Sequence, residues 1–271
     1  MENNYIINGN SSIPSAPPSY NYSRNEHYIN KSDQLEQFCQ EYEISQKYIE
    51  KIAIIEDFKI ILLLDDSGSM NTPLYDNSHY GTRWNKLKYI TETCIKLSSI
   101  YKENGITIEF LNRNGQSNIM NFNQILPFFN EPPFGRTPLN KKVKSILSRY
   151  ATCRKKVLII IPTDGEPTDD YGFENIKEFT DTLMNKNHSK FHISFLACSD
   201  QKNEIGYLDK LKKIPNVNIM HNYIDEVKKI KKKEGKNYSY TFGEHIIKFL
   251  LGPIIEFNES RRASIIECNI L

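Results

Sequence analysis

Residues 60–69 read Ile-Ile-Leu-Leu-Leu-Asp-Asp-Ser-Gly-Ser, an apolar run that leads directly into a series of side-chain oxygens. A short apolar run next to a turn-rich segment is typical of a strand covered on both faces in a parallel sheet. Asp65, Ser67 and Ser69 stand at alternate positions just after it, where they can curl around one hard cation. Alone the pattern is weak, because chance places such a triplet in about one chain in fifteen of this composition.

The same pattern, an apolar run followed by polar residues, recurs later in the chain. Residues 157–161 form a second apolar run, which leads through Pro162 into Thr163-Asp164-Gly165. Further strands are predicted at 106–111, 118–122, 191–197 and 217–220, and helices at 84–101, 138–150, 175–184, 205–213 and 242–251. This alternation predicts an α/β fold with a doubly wound, mostly parallel, Rossmann-like sheet and helices on both faces.

The sequence divides into four segments. Residues 1–31 are rich in Asn, Ser, Pro and Tyr without a hydrophobic period, which predicts a disordered tail. Apolar residues at helical spacing over 32–57 predict a short helical arm. The main domain covers 58–253, and residues 254–271 form a C-terminal tail.

The composition of the chain argues against several classes of function and location. The 35 Lys and Arg residues nearly balance the 33 Asp and Glu residues, so no global field favours nucleic acid. No apolar stretch approaches the ~20 residues needed to span a bilayer, and the polar start lacks the features of a secretory signal. Five cysteines without paired spacing suit reduced thiols. We therefore predict a cytoplasmic protein.

The two strand ends predict one site. In doubly wound sheets, ligands bind beyond the carboxyl ends of the strands, so Asp65 and Asp164 converge there if their strands are neighbours. Thr137 lies in a Pro-rich loop just before a helix and can add a third segment. The predicted metal ligands are therefore Asp65, Ser67, Ser69, Thr137 and Asp164. Mg²⁺ takes six oxygens, which leaves one position for water or a ligand; Mn²⁺ and Ca²⁺ are the alternative ions.

The order Asp-x-Ser-x-Ser, Gly-x-Thr-Pro-Leu, Thr-Asp-Gly over about 58–253 resembles the von Willebrand factor A domain with its metal-ion-dependent adhesion site. The resemblance implies that Ser67, Ser69 and Thr137 bind the metal directly, and that Asp65 and Asp164 bind it directly or through water. It also implies a protein partner that offers an acidic carboxylate to the metal. Residues 163–170, and the helix start at Arg83-Trp84, resemble a cytoplasmic eukaryotic branch of this family. The alternative is an Asp/Ser turn that merely caps the following helix.

The tail contains two overlapping short motifs, Pro-Ser-Ala-Pro and Pro-Pro-x-Tyr. They resemble the late-domain motifs of viral matrix proteins, which implies docking to ESCRT-I and to WW-domain ubiquitin ligases. Proline-rich segments are preformed for such docking. The alternative is a plain Pro/Ser linker. The residues concerned are Pro14, Ser15, Ala16, Pro17, Pro18 and Tyr20.

The chain end, Cys268-Asn269-Ile270-Leu271, fits the C-a-a-X pattern with a terminal leucine. That form is associated with geranylgeranylation. Nearby basic residues, Arg261-Arg262 and the run 228–233, supply the second signal that stable anchoring needs. Lipidation of Cys268 would place the protein at the membrane periphery, and its alternative is an unmodified cysteine beside a solvated charge run.

Together these features predict a non-enzymatic, metal-dependent protein-binding adaptor. A Mg²⁺-dependent hydrolase or phosphotransferase is the competing class, but the sequence has no phosphate-binding Gly-x-x-x-x-Gly-Lys-Ser/Thr motif and no Gly-x-Ser-x-Gly elbow. A third hypothesis is a scaffold or matrix-like protein in which the tail alone carries the function.

Overall fold

The two apolar runs form neighbouring strands at the centre of one six-stranded sheet. The computed structural model of the protein describes residues 30–75, 80–199 and 201–255. Within them the strands are β1 (Phe58–Leu64), β2 (Ile106–Phe110), β3 (Gln116–Ile119), β4 (Lys156–Thr163), β5 (Phe191–Ala197) and β6 (Val217–Met220). The α-helices are α1 (Lys31–Glu41), α2 (Ile49–Ile52), α3 (Arg83–Tyr101), α4 (Leu126–Asn130), α5 (Leu139–Arg149), α6 (Ile176–Met184), α7 (Lys202–Ile205), α8 (Leu208–Leu211), α9 (Tyr223–Glu234) and α10 (Phe242–Leu251).

The sheet has the order β3-β2-β1-β4-β5-β6. All neighbours are parallel except β2 and β3, which are antiparallel. The prediction of a mostly parallel α/β fold is therefore confirmed. The edge strand starts at Gln116 rather than at 118, and it is antiparallel because only residues 111–115 join it to β2. A link that short makes a hairpin, whereas a parallel pair needs a crossover of about a dozen residues or more.

Both faces of the sheet are covered. In β1, Ile61 and Leu63 belong to a core shared with α5, α6 and α8, whereas Ile60, Leu62 and Leu64 belong to a second core shared with α1, α3 and α10. Successive strand residues point to opposite faces, so the positions of a strand covered on both faces favour apolar side chains throughout. That preference explains why the run is uninterrupted in the sequence.

The predicted helical arm is present as α1, α2 and two flanking 3-10 turns, Gln46–Tyr48 and Ala53–Asp57. It packs on α3 and α10 and contributes buried residues to the second core. Polar contacts also hold it: for example, Lys96 Nζ lies 2.9 Å from Glu41 Oε1, and Ser45 Oγ donates to Glu244 Oε1 at 2.6 Å. The arm is thus part of the main packing unit.

The arm and α10 approach each other closely at Gly243. A Cβ at this position would lie 2.1 Å from the backbone oxygen of Tyr42 and 2.8 Å from Ile44 Cγ1. We expect Gly243→Ala to lower the free energy of unfolding by about 1–3 kcal/mol, the usual cost of overpacking, even though Ala favours helix more than Gly does. Urea denaturation checks this, with Lys232→Ala on the exposed side of α9 as the control. Equal midpoints for the two variants would contradict it.

The prediction and the structure differ at helices α7, α8 and α9. The helix predicted at 205–213 is two short helices, α7 and α8. Helix α9 is absent from the prediction, because among its residues only Ile230 is buried and its lysines read as a simple charge run. No helix in the described ranges is long and apolar enough to cross a bilayer. The docking motifs at Pro14–Tyr20 and the C-terminal Cys268 lie outside the described residues.

Candidate functional site

The carboxyl ends of β1 and β4 lie side by side, because these strands pair in parallel register from Phe58↔Lys156 to Leu62↔Ile160. Strand order also reverses here, since the chain moves outward from β1 to β3 and then returns to β4. Asp65 follows β1 directly and Asp164 follows β4, and both side chains are fully buried. The predicted convergence of these two carboxylates is present.

The loop after β1 is folded around its own side chains. Asp65 Oδ1 accepts the backbone N–H of Ser67 at 3.0 Å, which turns the chain back over the strand end. Ser67 Oγ and Ser69 Oγ then lie 3.1 Å apart. Ser69 Oγ donates to Asp164 Oδ1 at 2.9 Å. Four of the five predicted ligands therefore form one hydrogen-bonded cluster.

Thr137 reaches the cluster on a separate loop. That loop is joined to the first by two backbone hydrogen bonds, Phe134 N–H to Asp66 O at 2.8 Å and Gly68 N–H to Gly135 O at 3.1 Å. A Cβ placed on Gly165 would lie 3.7 Å from Thr137 Oγ1 and 3.9 Å from Ser69 Oγ. The loops after β1 and β4 and the loop before α5 thus bring all five oxygens together.

Asp65 is held in a setting that disfavours its charge. Burial, followed by the nearby Asp164 carboxylate, raises the pKa of Asp65 to about 7. Hydrogen bonds oppose this shift, including one that Asp65 Oδ2 accepts from Thr163 Oγ1 at 2.5 Å. Two buried like charges repel each other, so a cation between the two carboxylates would offset this repulsion and stabilise their charged forms.

Asp164 has a protein counter-ion that the sequence did not reveal. Arg83, the first residue of α3, donates from Nη1 to Asp164 Oδ2 and from Nη2 to Glu204 Oε2, each at 2.7 Å. The Arg83 side chain is almost fully buried. Burial raises the pKa of Asp164 while Arg83 lowers it. Arg83 therefore offsets part of the negative charge but occupies only one of the two Asp164 oxygens.

Neighbouring acidic residues stabilise the loops of the site through hydrogen bonds and an ion pair. Asp66 is buried rather than solvated, and its Oδ1 accepts the backbone N–H of Asn112 at 2.7 Å. Asp169 Oδ1 accepts the backbone N–H groups of Tyr171 and Phe173 at 2.8 and 2.9 Å, and Asp170 pairs with a lysine at the surface. These contacts hold the loops that carry the five oxygens.

The donor set is entirely oxygen, with two carboxylates and three hydroxyls. Hard cations such as Mg²⁺ and Ca²⁺ prefer oxygen ligands, so the chemistry of this set fits such an ion. Within the ranges that the structure describes, no group of three or more His, Cys, Asp or Glu side chains could hold a metal. A carboxylate-rich or zinc-type centre is therefore not present in that part of the chain.

Comparison with known proteins found distant structural likeness only. No family model matches the chain, and no curated protein matches it. The PilB minor pilin of Streptococcus sanguinis is similar at 13% identity and a TM-score of 0.46, over 72% of this chain and 60% of the pilin chain. Its D319A mutant is similar at 14% identity and a TM-score of 0.45, over 65% of this chain and 60% of the pilin chain. This chain thus spans about 60% of either pilin chain.

These results correct the family assignment. No family model matches the chain, and the sheet is mixed because β3 is antiparallel. The von Willebrand factor A assignment, and with it the label of a metal-ion-dependent adhesion site, is therefore wrong. Short Asp/Ser turns recur in unrelated proteins because their side chains cap backbone N–H groups.

Proposed function

We propose that the carboxyl edge of the sheet binds one divalent cation, Mg²⁺ or alternatively Mn²⁺ or Ca²⁺, and uses it to hold a protein partner. The observation that carries this proposal is the joining of Asp65, Ser67, Ser69 and Asp164 in one buried hydrogen-bonded cluster, with Thr137 Oγ1 beside it. Such a set leaves one of six octahedral positions for an outside ligand. The reversal of strand order also supports the finer fold class, a doubly wound Rossmann-like sheet.

The charge of the site favours an acidic partner. Three of the five oxygens are neutral hydroxyls, and Arg83 shares its positive charge between Asp164 and Glu204. A divalent cation with mostly neutral ligands stays electron-poor, so the best sixth ligand is an anion. A Glu or Asp side chain of another protein meets that need. The cation would thereby couple two proteins, which is the work of an adaptor.

Binding is favoured over catalysis by the groups beside the site. Cys198 interacts electrostatically with Asp65 and Asp164, but burial raises the pKa of its thiol to about 12, so it stays protonated and is a poor nucleophile. Tyr207 donates its hydroxyl to Gly165 O at 3.0 Å, and burial raises its pKa well above the ordinary value. Neither group suits acid–base or nucleophilic work near neutral pH. Docking of the tail to WW domains or ESCRT-I, and lipidation of Cys268, stay predictions.

Calorimetric titration of Mg²⁺, Mn²⁺ and Ca²⁺ into the full chain tests the cation site. We expect saturable binding in the wild type and a loss of about ten-fold or more in affinity for Asp65→Asn and Ser69→Ala, since each substitution removes a ligand in a site that tolerates few replacements. Asp170→Asn is the matched control, because Asp170 is an exposed carboxylate on a neighbouring loop. Circular dichroism verifies that each variant is folded. Absence of binding in the wild type, or equal binding in all variants, would refute the proposal.

A further inference from the structure

The large exposed apolar side chains are concentrated around the candidate site. Among the described residues, six large hydrophobic side chains are exposed, and four of them are aromatic. All four aromatic residues lie on the loops that carry the site oxygens, whereas Met120 and Met184 lie elsewhere. We call these four the aromatic rim: Tyr75, Phe134, Tyr171 and Phe173, which are 76%, 52%, 79% and 73% exposed.

The loops of the aromatic rim are tied to one another. Asn71 Nδ2 donates to Pro133 O at 3.2 Å, which joins the loop before Tyr75 to the loop of Phe134. Arg136 Nη1 donates to Asp170 O at 2.5 Å, which joins the loop of Phe134 to that of Tyr171 and Phe173. The four rim residues therefore lie on loops that are joined to one another and that also carry the five oxygens.

Local contacts order the loops that carry the rim side chains. Residues 169–173 are closed by the two N–H groups that donate to Asp169 Oδ1. Gly172 has a φ of +94° and lies against Arg136, so close that a Cβ would be 3.1 Å from the guanidinium carbon. The Phe134 ring lies 4.9 Å from the guanidinium carbon of Arg113. Exposed aromatic groups on a preorganised loop lose little entropy on binding.

One exposed guanidinium lies within the rim, beside the carboxylates of Asp169 and Asp170, which are engaged by loop N–H groups and by Lys141. The exposed Arg136 lies between Phe134 and the 169–173 loop and donates to a backbone carbonyl rather than to a carboxylate. Its positive charge adds to that of the proposed cation. Large aromatic side chains beside an Arg are also the composition typical of binding hot spots.

We propose that the aromatic rim binds an acidic peptide segment of a partner protein. The segment's carboxylate reaches the cation, and large apolar side chains next to that carboxylate pack on Tyr75, Phe134, Tyr171 and Phe173. This inference rests on the proposed function and adds the sequence preference of the partner. An isolated carboxylate would not suffice, because one charged contact at a surface contributes little affinity.

A displayed library of short random peptides, selected on the full chain with Mg²⁺ and again with EDTA, tests this preference. We expect Mg²⁺-dependent enrichment of peptides in which Asp or Glu stands within a few residues of Phe, Trp, Tyr or Leu. One enriched peptide, labelled with a fluorophore, then serves as the probe in polarisation titrations. Enrichment without an acidic residue, or without an apolar neighbour, would overturn the proposal, as would no enrichment.

Variants of the rim complete the test. The double variant Tyr171→Ala/Phe173→Ala and the single variant Phe134→Ala should weaken the probe peptide by about ten-fold or more, as hot-spot truncations do. Calorimetric Mg²⁺ affinity should not change in these variants. The matched controls are Met120→Ala and Met184→Ala, which remove exposed apolar side chains elsewhere. Equal peptide affinity in rim and control variants would overturn the proposal.

Two further results separate this inference from the proposed function. If the wild type binds no Mg²⁺, the proposed function fails. If the peptide binds in EDTA and this binding depends on the rim, the proposed contact between the peptide carboxylate and the cation is overturned as well. If Mg²⁺ binds normally but rim variants keep full peptide affinity, only the inference fails. Rim-dependent binding to phosphatidylcholine–phosphatidylserine vesicles, with none to peptides, would assign the surface to membranes and overturn it.

Discussion

Arg83→Met should lower the free energy of unfolding by about 3–5 kcal/mol, the range for removing one partner of a buried ion pair. Asp164 is fully buried and would lose the guanidinium that lies 2.7 Å from its Oδ2. Urea denaturation followed by tryptophan fluorescence measures the change. Trp84 is the only tryptophan of the chain, and it is buried next to the substituted residue.

The same variant also probes the cation site. A divalent ion can supply the counter-charge that Asp164 loses, so saturating Mg²⁺ should stabilise Arg83→Met more than it stabilises the wild type. Arg136→Met is the control, because Arg136 is exposed and donates only to a carbonyl, and it should change stability by no more than about 0.5 kcal/mol. Similar losses for the two arginine variants would contradict the ion-pair argument. Equal Mg²⁺ stabilisation of Arg83→Met and the wild type would contradict the compensation.

His245→Gln should reduce the acid sensitivity of the fold. His245 is buried beside Tyr240, whose hydroxyl lies 3.2 Å from its Nδ1, and burial, with smaller contributions from Lys86 and Lys248, lowers its pKa to about 3. The unfolded chain protonates this histidine near pH 6.5, whereas the folded chain keeps it neutral down to about pH 3. The unfolded state therefore binds more protons in this window, and stability falls as pH falls.

The expected size follows from the linkage slope. One group contributes about 1.4 kcal/mol per pH unit, so the wild type should lose about 2–3 kcal/mol more than His245→Gln between pH 6.5 and pH 4.5. Asp65 acts in the opposite direction because its pKa is raised to about 7, which is why the difference between the two proteins is the quantity to measure. Denaturation at a series of pH values provides it. Parallel stability curves for the two proteins would contradict the prediction.

The central strands and the meeting of the five oxygens followed from sequence for one physical reason. A strand buried on both faces favours apolar residues throughout, so β1 and β4 are visible as uninterrupted runs, and the polar residues just after them lie at the same edge. Thr137 could be added because its loop precedes a helix. These inferences needed only local pattern and the rule for parallel sheets.

Other features depend on contacts between distant parts of the chain. Arg83 reaches Glu204 across 121 positions of sequence, and no local pattern of a helix N-terminus specifies such a partner. Helix α9 buries mainly Ile230, so its hydrophobic period is nearly absent. The family resemblance failed for a different reason: three short motifs describe how loops turn, and loop chemistry recurs on unrelated chains.

The arm has a consequence for how an adaptor of this shape would work. Lys31 Nζ lies 2.8 Å from Glu56 Oε1, just before β1 begins, so α1 starts at the amino edge of the sheet. The five oxygens lie at the other end of that seven-residue strand, roughly 20 Å away at about 3.3 Å per residue. The start of α1 and the five oxygens thus lie at opposite edges of the sheet. A partner held at the proposed cation would therefore contact the edge of the sheet opposite the start of α1, and the arm would remain outside that contact.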